Sequence, residues 1–119
     1  MKQEPTVLIS GASGNMGQAM VSKFLQEGFR ATGLVPPNDK VKINISDPAF
    51  AISTVDLGDE SATAAAIQEL ISTNTSIDAA ILTVGGFAMG DIAATTGEEI
   101  SRQYQLNFLT AYHVVRPLF

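Results

Sequence analysis

Seven residues, Gly11-Ala12-Ser13-Gly14-Asn15-Met16-Gly17, join two segments of opposite period. Before them, Thr6-Val7-Leu8-Ile9 is a short apolar, partly β-branched run. It reads as a strand buried on both faces, as in a parallel sheet. After them, Met16, Met20 and Phe24 recur at four-residue steps, and Val21 and Leu25 widen the stripe. That is an amphipathic helix over 15–27, with Gly28 placed to end it. A strand that turns into a helix through three glycines belongs to an α/β sheet. It also suits a diphosphate, which needs close backbone approach, free N–H groups and the positive end of a helix. Gly11 allows the tight turn, Gly14 leaves the phosphate's space empty, and Gly17 lets the helix lie close to the strand. The same glycines would also serve a strand-to-helix turn that binds nothing. The flanking strand and helix favour the nucleotide reading.

The rest of the chain continues the alternation. Residues 30–35 form a second strand, weakened by Gly33. Pro36-Pro37-Asn38-Asp39 breaks the chain, and 41–45 alternates like an exposed strand. No helical period lies between Val35 and Phe50. Residues 50–57 read as a further strand after the Asp47-Pro48 turn. Asp59 caps the next helix, with Glu60 in its first turn and Ala66, Ile67, Leu70 and Ile71 facing inward. Residues 77–84 form another buried strand, closed by Gly85-Gly86. Thr96 and Glu99 have capping-box spacing, so the last helix starts there and runs toward the C-terminus. Strands alternating with helices argue for a parallel α/β sheet, and right-handed crossovers place helices on both of its faces.

Composition narrows function. Net charge is −5, and seven Lys and Arg are scattered along the chain. No basic stripe for nucleic acid results. The chain has no cysteine and one histidine, His113, so no metal site is expected. His113 is expected on a helix surface or at an interface. No run approaches the roughly 18 apolar residues of a membrane span. The N-terminus lacks a basic start and an apolar run, so a cytoplasmic protein is expected.

Ser10-Gly11-Ala12-Ser13-Gly14-Asn15-Met16-Gly17 resembles the N-terminal fingerprint of the short-chain dehydrogenase/reductase family, usually T-G-x-x-x-G-x-G. Ser10 replaces the Thr and Asn15 the middle Gly. Gly14 instead gives the G-x-x-G-x-x-G spacing of the family's extended and atypical branches. The resemblance covers essentially the whole chain, matched to a member's first half. It implies the N-terminal half of a Rossmann-type doubly wound parallel sheet, strand order 3-2-1-4, and an NAD(P)-dependent oxidoreductase that moves hydride between nicotinamide and an alcohol or carbonyl substrate. Gly11, Ser13, Gly14, Asn15, Met16 and Gly17 would hold the diphosphate. Asp56-Leu57 stands where the family has an acid near adenine, although an Asp there could simply start a turn. Thr83-Val84-Gly85-Gly86 stands where the family reads N-N-A-G, beside the nicotinamide ribose.

Ile100, Tyr104, Asn107, Ala111, Val114 and Leu118 share one helix face by their spacing. Asn107 is then a polar group on a face that should be buried, and it needs hydrogen bonds. From the residues alone a structural role serves as well. The resemblance adds another, since the family's Asn in this helix holds a water of the proton relay. The family's catalytic Tyr-x-x-x-Lys pair has no counterpart within these 119 residues. Tyr112 and Arg116 have the spacing but stand in the wrong helix, and arginine does not titrate usefully. The chain is therefore expected to be one dinucleotide-binding domain over 1–119, inactive by itself. Its edge strand and last helix would be left bare, and it should self-associate as a homo-oligomer. A non-catalytic dinucleotide-sensing module and an epimerase-like relative share the glycine turn and stay open. So does the choice of NAD or NADP. The position of the NAD-selecting acid falls on Val35, and Asp39 and Lys40 just beyond pull in opposite directions.

Overall fold

A computed structural model describes residues 4–73 and 76–119. Strand β1 is Thr6–Ser10, and all five residues are buried. Helix α1, Asn15–Gln26, follows the glycine turn. Its end shows why Gly28 is there. Gly28 has φ of +86°, which a residue without Cβ adopts at no steric cost. Its N–H donates to Leu25 O, and Phe29 N donates back to Phe24 O at 3.0 Å. These are the paired bonds of a Schellman motif. The Phe24 and Phe29 rings meet edge to face, centroids 4.9 Å apart, and close the apolar contact that completes it.

Strands β2 (Arg30–Val35) and β3 (Phe50–Thr54), helix α2 (Glu60–Thr73) and strand β4 (Ala79–Leu82) continue the alternation. The sheet is parallel throughout, in the order β3-β2-β1-β4. Leu8 and Leu34 face one side, packed with Val55, Leu57, Ile67 and Val114. Val7, Ile9 and Ala31 face the other, packed with Ala12 and Val21 of the α1 layer. The strict alternation along β1 thus builds two cores, one under each helical layer. Gly33 lies in β2 because a Cβ there would meet Ala12 Cβ at 2.6 Å.

Asp59 begins α2 as expected, its carboxylate accepting from Ala62 N at 3.0 Å. Ile67 is buried, but Ile71 is exposed, and the second buried position of α2 is Thr63. The Thr63 hydroxyl reaches Asp59 O at 2.8 Å. Residues 41–45 form no strand. β2 is already paired on both edges, by β1 and β3, so the segment has no ladder there to join. Its alternation survives as packing, with Ile43 and Ile45 against the α1-side core. No helix crosses between β2 and β3. Residues 77–84 are half-buried, with Asp78 exposed, rather than buried, because β4 is an edge strand paired only with β1. Met16 is 64% exposed, so the inner stripe of α1 starts at Gly17.

The C-terminal helix starts at Thr96, whose hydroxyl accepts from Glu99 N at 3.1 Å. It is not uniform. Helix α3 (Gly97–Tyr104) passes through a π-helical turn at Gln105–Leu109 into helix α4 (Thr110–Leu118). Asn107 Nδ2 donates to Gln103 O at 2.9 Å, and the Thr110 hydroxyl donates to Leu106 O at 2.8 Å. Both side chains draw on carbonyls that a regular helix would reserve for backbone N–H groups. The wider turn shifts the phase of everything that follows it. The face expected from Ile100 to Leu118 is therefore split. Val114 is fully buried, whereas Ile100, Tyr104 and Asn107 are exposed.

Candidate functional site

The carboxyl ends of β1, β2, β3 and β4 all open on one side of the sheet. Between β1 and β4, where the order reverses, chain connections leave in opposite directions and a crevice remains. The glycine turn borders it. Gly11 takes φ of +64°, and Gly14 N donates back to Gly11 O at 3.0 Å. Gly14 is the N-cap of α1 and is extended; no side chain caps the helix, and its first turn carries no acid. Among the described residues, the leading amides of α1, at Asn15, Met16 and Gly17, thus have no side-chain partner at the positive end of the helix. Gly14, Asn15 and Met16 are exposed. Gly17 is buried instead, where a Cβ would lie 2.0 Å from Gly11 O. Its part is to let α1 approach the turn.

Beside the turn lies a largely apolar cavity of about 210 Å³. Gly11, Val35, Val84 and the adjacent pair Asp56-Leu57 line it from four different strand ends or turns, and Leu106 and Thr110 close it from the last helix. Asp56 is exposed, and one of its oxygens accepts from Gly58 N at 2.9 Å, so it does start a turn as well. Thr83 serves as a clamp. Its hydroxyl donates to Ser10 O at 2.6 Å, and its N–H donates to Ser10 Oγ at 3.1 Å. The two bonds, both donated by Thr83, tie the ends of β1 and β4 together.

Gly85 and Gly86 have a close neighbour. A Cβ on Gly86 would meet Leu106 Cδ2 at 2.2 Å, and one on Gly85 would meet Asn107 Oδ1 at 2.9 Å. Asn107 Oδ1 accepts from Gly86 N at 2.9 Å, while its amide nitrogen donates to Gln103. So Asn107 does find the hydrogen bonds an amide requires, but on an exposed face rather than in a core. It anchors the loop after β4 to the π turn, and π turns recur at functional sites.

Three contacts escaped the sequence reading. His113 is buried, not on the surface, and its Nδ1 lies 2.7 Å from Leu57 O, joining α4 to the turn that follows β3. Arg116 pairs with Glu60 at 2.9 Å, which occupies the cation of the Tyr112–Arg116 lookalike. Ser13 Oγ donates to Asp39 Oδ2 across the rim of the turn. That bond, and one from Val41 N, hold the Asp39 carboxyl below its ordinary range. Spacing gives no signal for pairs so distant in the chain. Among the described residues no cluster of His, Cys, Asp or Glu could hold a metal, and no helix is long and apolar enough to cross a membrane.

The family model for short chain dehydrogenases matches residues 5–119, and the chain belongs to that family. It is 25% identical over 126 residues to an acetoacetyl-CoA reductase of Acinetobacter sp. (strain RA3849), covering all of this chain and 51% of that protein. The structure superposes on NADPH-bound carbonyl reductase from chicken fatty liver with a TM-score of 0.86 at 16% identity, covering 99% of this chain and 48% of that one. A short-chain dehydrogenase from Leptospira borgpetersenii with bound NAD+ gives a TM-score of 0.83 at 22% identity, over 98% and 45%. The chain thus spans about half the length of the relatives it matches.

Proposed function

We propose that these residues are the dinucleotide-binding part of an NAD(P)-dependent oxidoreductase acting on an alcohol or carbonyl compound. One observation carries the reading. An uncapped helix start and an apolar cavity share the crevice where the strand order reverses. The N–H groups of Asn15 and Met16 would hold the diphosphate, with Gly14 leaving its space open and Ser13 at the rim. Gly11, Val35 and Leu57 would enclose adenine, with the free oxygen of Asp56 accepting from it. Thr83, Val84, Gly85 and Gly86 would border the nicotinamide ribose. Gly17 acts one step back, by shaping the turn. Asn107 would hold a water near the reacting atoms, a reading that its bond from Gly86 N in the loop after β4 supports. The bound dinucleotide supplies the hydride chemistry, and the protein supplies position and electrostatics. The carbonyl-reducing relatives support a small alcohol or carbonyl substrate.

Calorimetric titration with NAD(H) and NADP(H) tests this reading. Binding of at least one dinucleotide is expected, without turnover of carbonyl substrates by the 119 residues alone. A positioned proton donor typically contributes 10²–10⁴-fold, and no Tyr-x-x-x-Lys pair is present in the sequence. A folded chain that binds none of the four, or a purified chain that turns them over, contradicts it.

Self-association is expected as well. Tyr104, Phe108 and Tyr112 stack along the last helix, centroids 5.3 and 6.3 Å apart, and are 54%, 52% and 47% exposed. With Ile100 and Val115 they make a contiguous apolar stripe of the kind that marks an interface. The edge of β4 adds an unpaired ladder. Sedimentation over a concentration series should show oligomers that Phe108→Glu dissociates. A parent chain that stays monomeric at high concentration removes the stripe as an interface.

A further inference from the structure

The turn between β3 and α2 is held from two directions. Leu57, in this turn, lines the apolar cavity beside the glycine turn and packs with Leu8, Leu34 and Val114. Its neighbour is fixed locally. Asp56 O accepts from Asp59 N at 3.0 Å and from the Thr63 hydroxyl at 3.2 Å. Leu57 O instead takes its donor from across the chain, His113 Nδ1 at 2.7 Å. A carbonyl oxygen only accepts, so the proton of this bond sits on Nδ1. His113 is buried beside Thr110 and Val114 on the inward face of α4, which the π turn sets in phase. Helix α4 thus meets the cavity twice, directly through Thr110 and indirectly through His113 and Leu57.

We infer that His113 is a positioning residue for the dinucleotide, its Nδ1–H fixing Leu57 as a wall of the adenine end of the site. The inference rests on the dinucleotide reading above. A buried acceptor that loses its donor must find another. The residues on either side of Leu57, Asp56 and Gly58, are exposed. Without the imidazole the turn can therefore rotate until Leu57 O meets water. That rotation takes the Leu57 side chain out of the cavity wall, and the adenine ring loses an apolar face to lie on. A second side-chain link, Arg116 to Glu60 at 2.9 Å, also joins α4 to the start of α2. It is exposed, and among the described residues Arg116 bonds to neither Asp56 nor Leu57. The link that reaches the cavity wall is the one made by His113.

NAD+ and 5′-AMP, which carries the adenine end alone, are titrated calorimetrically into the parent, His113→Phe, His113→Asn and Arg116→Ala. Phe keeps a ring but has no donor. The Asn amide nitrogen lies as many bonds from the backbone as Nδ1 and can donate to Leu57 O. His113→Phe is expected to weaken both ligands about tenfold, a factor worth about 1.4 kcal/mol and of the order of one hydrogen bond. His113→Asn should recover most of that loss, and Arg116→Ala should bind as the parent does. Parent-like binding by His113→Phe overturns the inference. So does an Asn variant no better than Phe, or an equal loss in Arg116→Ala. A second measurement does not depend on a variant folding. His113 is the single histidine of the sequence, so the parent gives one set of imidazole signals. Bound 5′-AMP should shift them and slow the exchange of the Nδ1 proton with water, whereas nicotinamide mononucleotide, which lacks adenine, should leave them in place. Imidazole signals that do not respond to bound 5′-AMP or NAD+ overturn the inference, and in all of these outcomes dinucleotide binding itself still stands. If the folded chain, judged by circular dichroism, binds neither 5′-AMP nor NAD+, the dinucleotide reading falls and this inference falls with it.

Discussion

Gly17→Ala is expected to destabilise the fold by about 2–4 kcal/mol, the upper range for an overpacked core site. The added methyl would lie 2.0 Å from Gly11 O, 2.7 Å from Gly11 C and 2.8 Å from Ala12 Cα. All three neighbours are backbone of the turn, and no flexible side chain can yield. Helix α1 would have to lift from β1, breaking the contact of Val21 with Val7 and Ile9. The melting temperature should fall on the order of 10 °C. Gly14→Ala is the control. Its methyl would meet only Gly11 O, at an ordinary 3.4 Å, and the residue has φ of −75°. There the loss of a good N-cap residue and the reduced entropy of the unfolded chain nearly offset each other. Thermal melts of both variants check the pair. Equal stabilities would mean that α1 does not sit on the turn as described.

Gly14→Val should abolish dinucleotide binding, by about 100-fold or more, while the fold survives. The same open space that makes residue 14 tolerant of a side chain is the space the diphosphate needs. Two branched methyl groups above the leading amides of α1 would keep a phosphate from their N–H groups. A 100-fold loss corresponds to about 2.8 kcal/mol. Stability should change by no more than about 1 kcal/mol, since an extended N-cap position accepts a β-branched residue. Parallel titration and denaturant melts of parent and variant separate the two effects. Undiminished affinity in the variant would take the glycine turn out of the site.

The features readable in the sequence were those whose causes are local. The apolar run Val7–Ile9 of β1, the αL glycine between Phe24 and Phe29, and the capping residues Asp59 and Thr96 each carry their reason within a few positions. Residues 41–45 show the limit of periodicity. Ile43 and Ile45 do turn inward, but a strand also needs a partner edge, and those of β2 are taken. The last helix shows a second limit. A face drawn from Ile100 to Leu118 assumes an unbroken 3.6-residue period, and the π turn around Asn107 shifts it. His113 and Asp39 show a third. One is buried by a carbonyl 56 residues away and the other is held by a hydroxyl 26 residues away. Of the candidate site, the glycine turn, Asp56 and the loop 83–86 were legible through a family resemblance. Asn107 was singled out for a buried face it does not occupy, and its anchoring of Gly86 depends on the fold.

Amide chemical-shift mapping during a titration with NAD+ addresses the central claim most directly. Dinucleotide bound at the carboxyl ends of the strands should shift the amides of Gly14, Asn15 and Met16 together with those of Asp56, Gly85 and Gly86. Residues at the amino ends, such as Thr6, Arg30 and Ala79, should stay unmoved. Shifts confined to those amino ends, or to the exposed Tyr104–Tyr112 stripe, would place the ligand elsewhere and contradict the account.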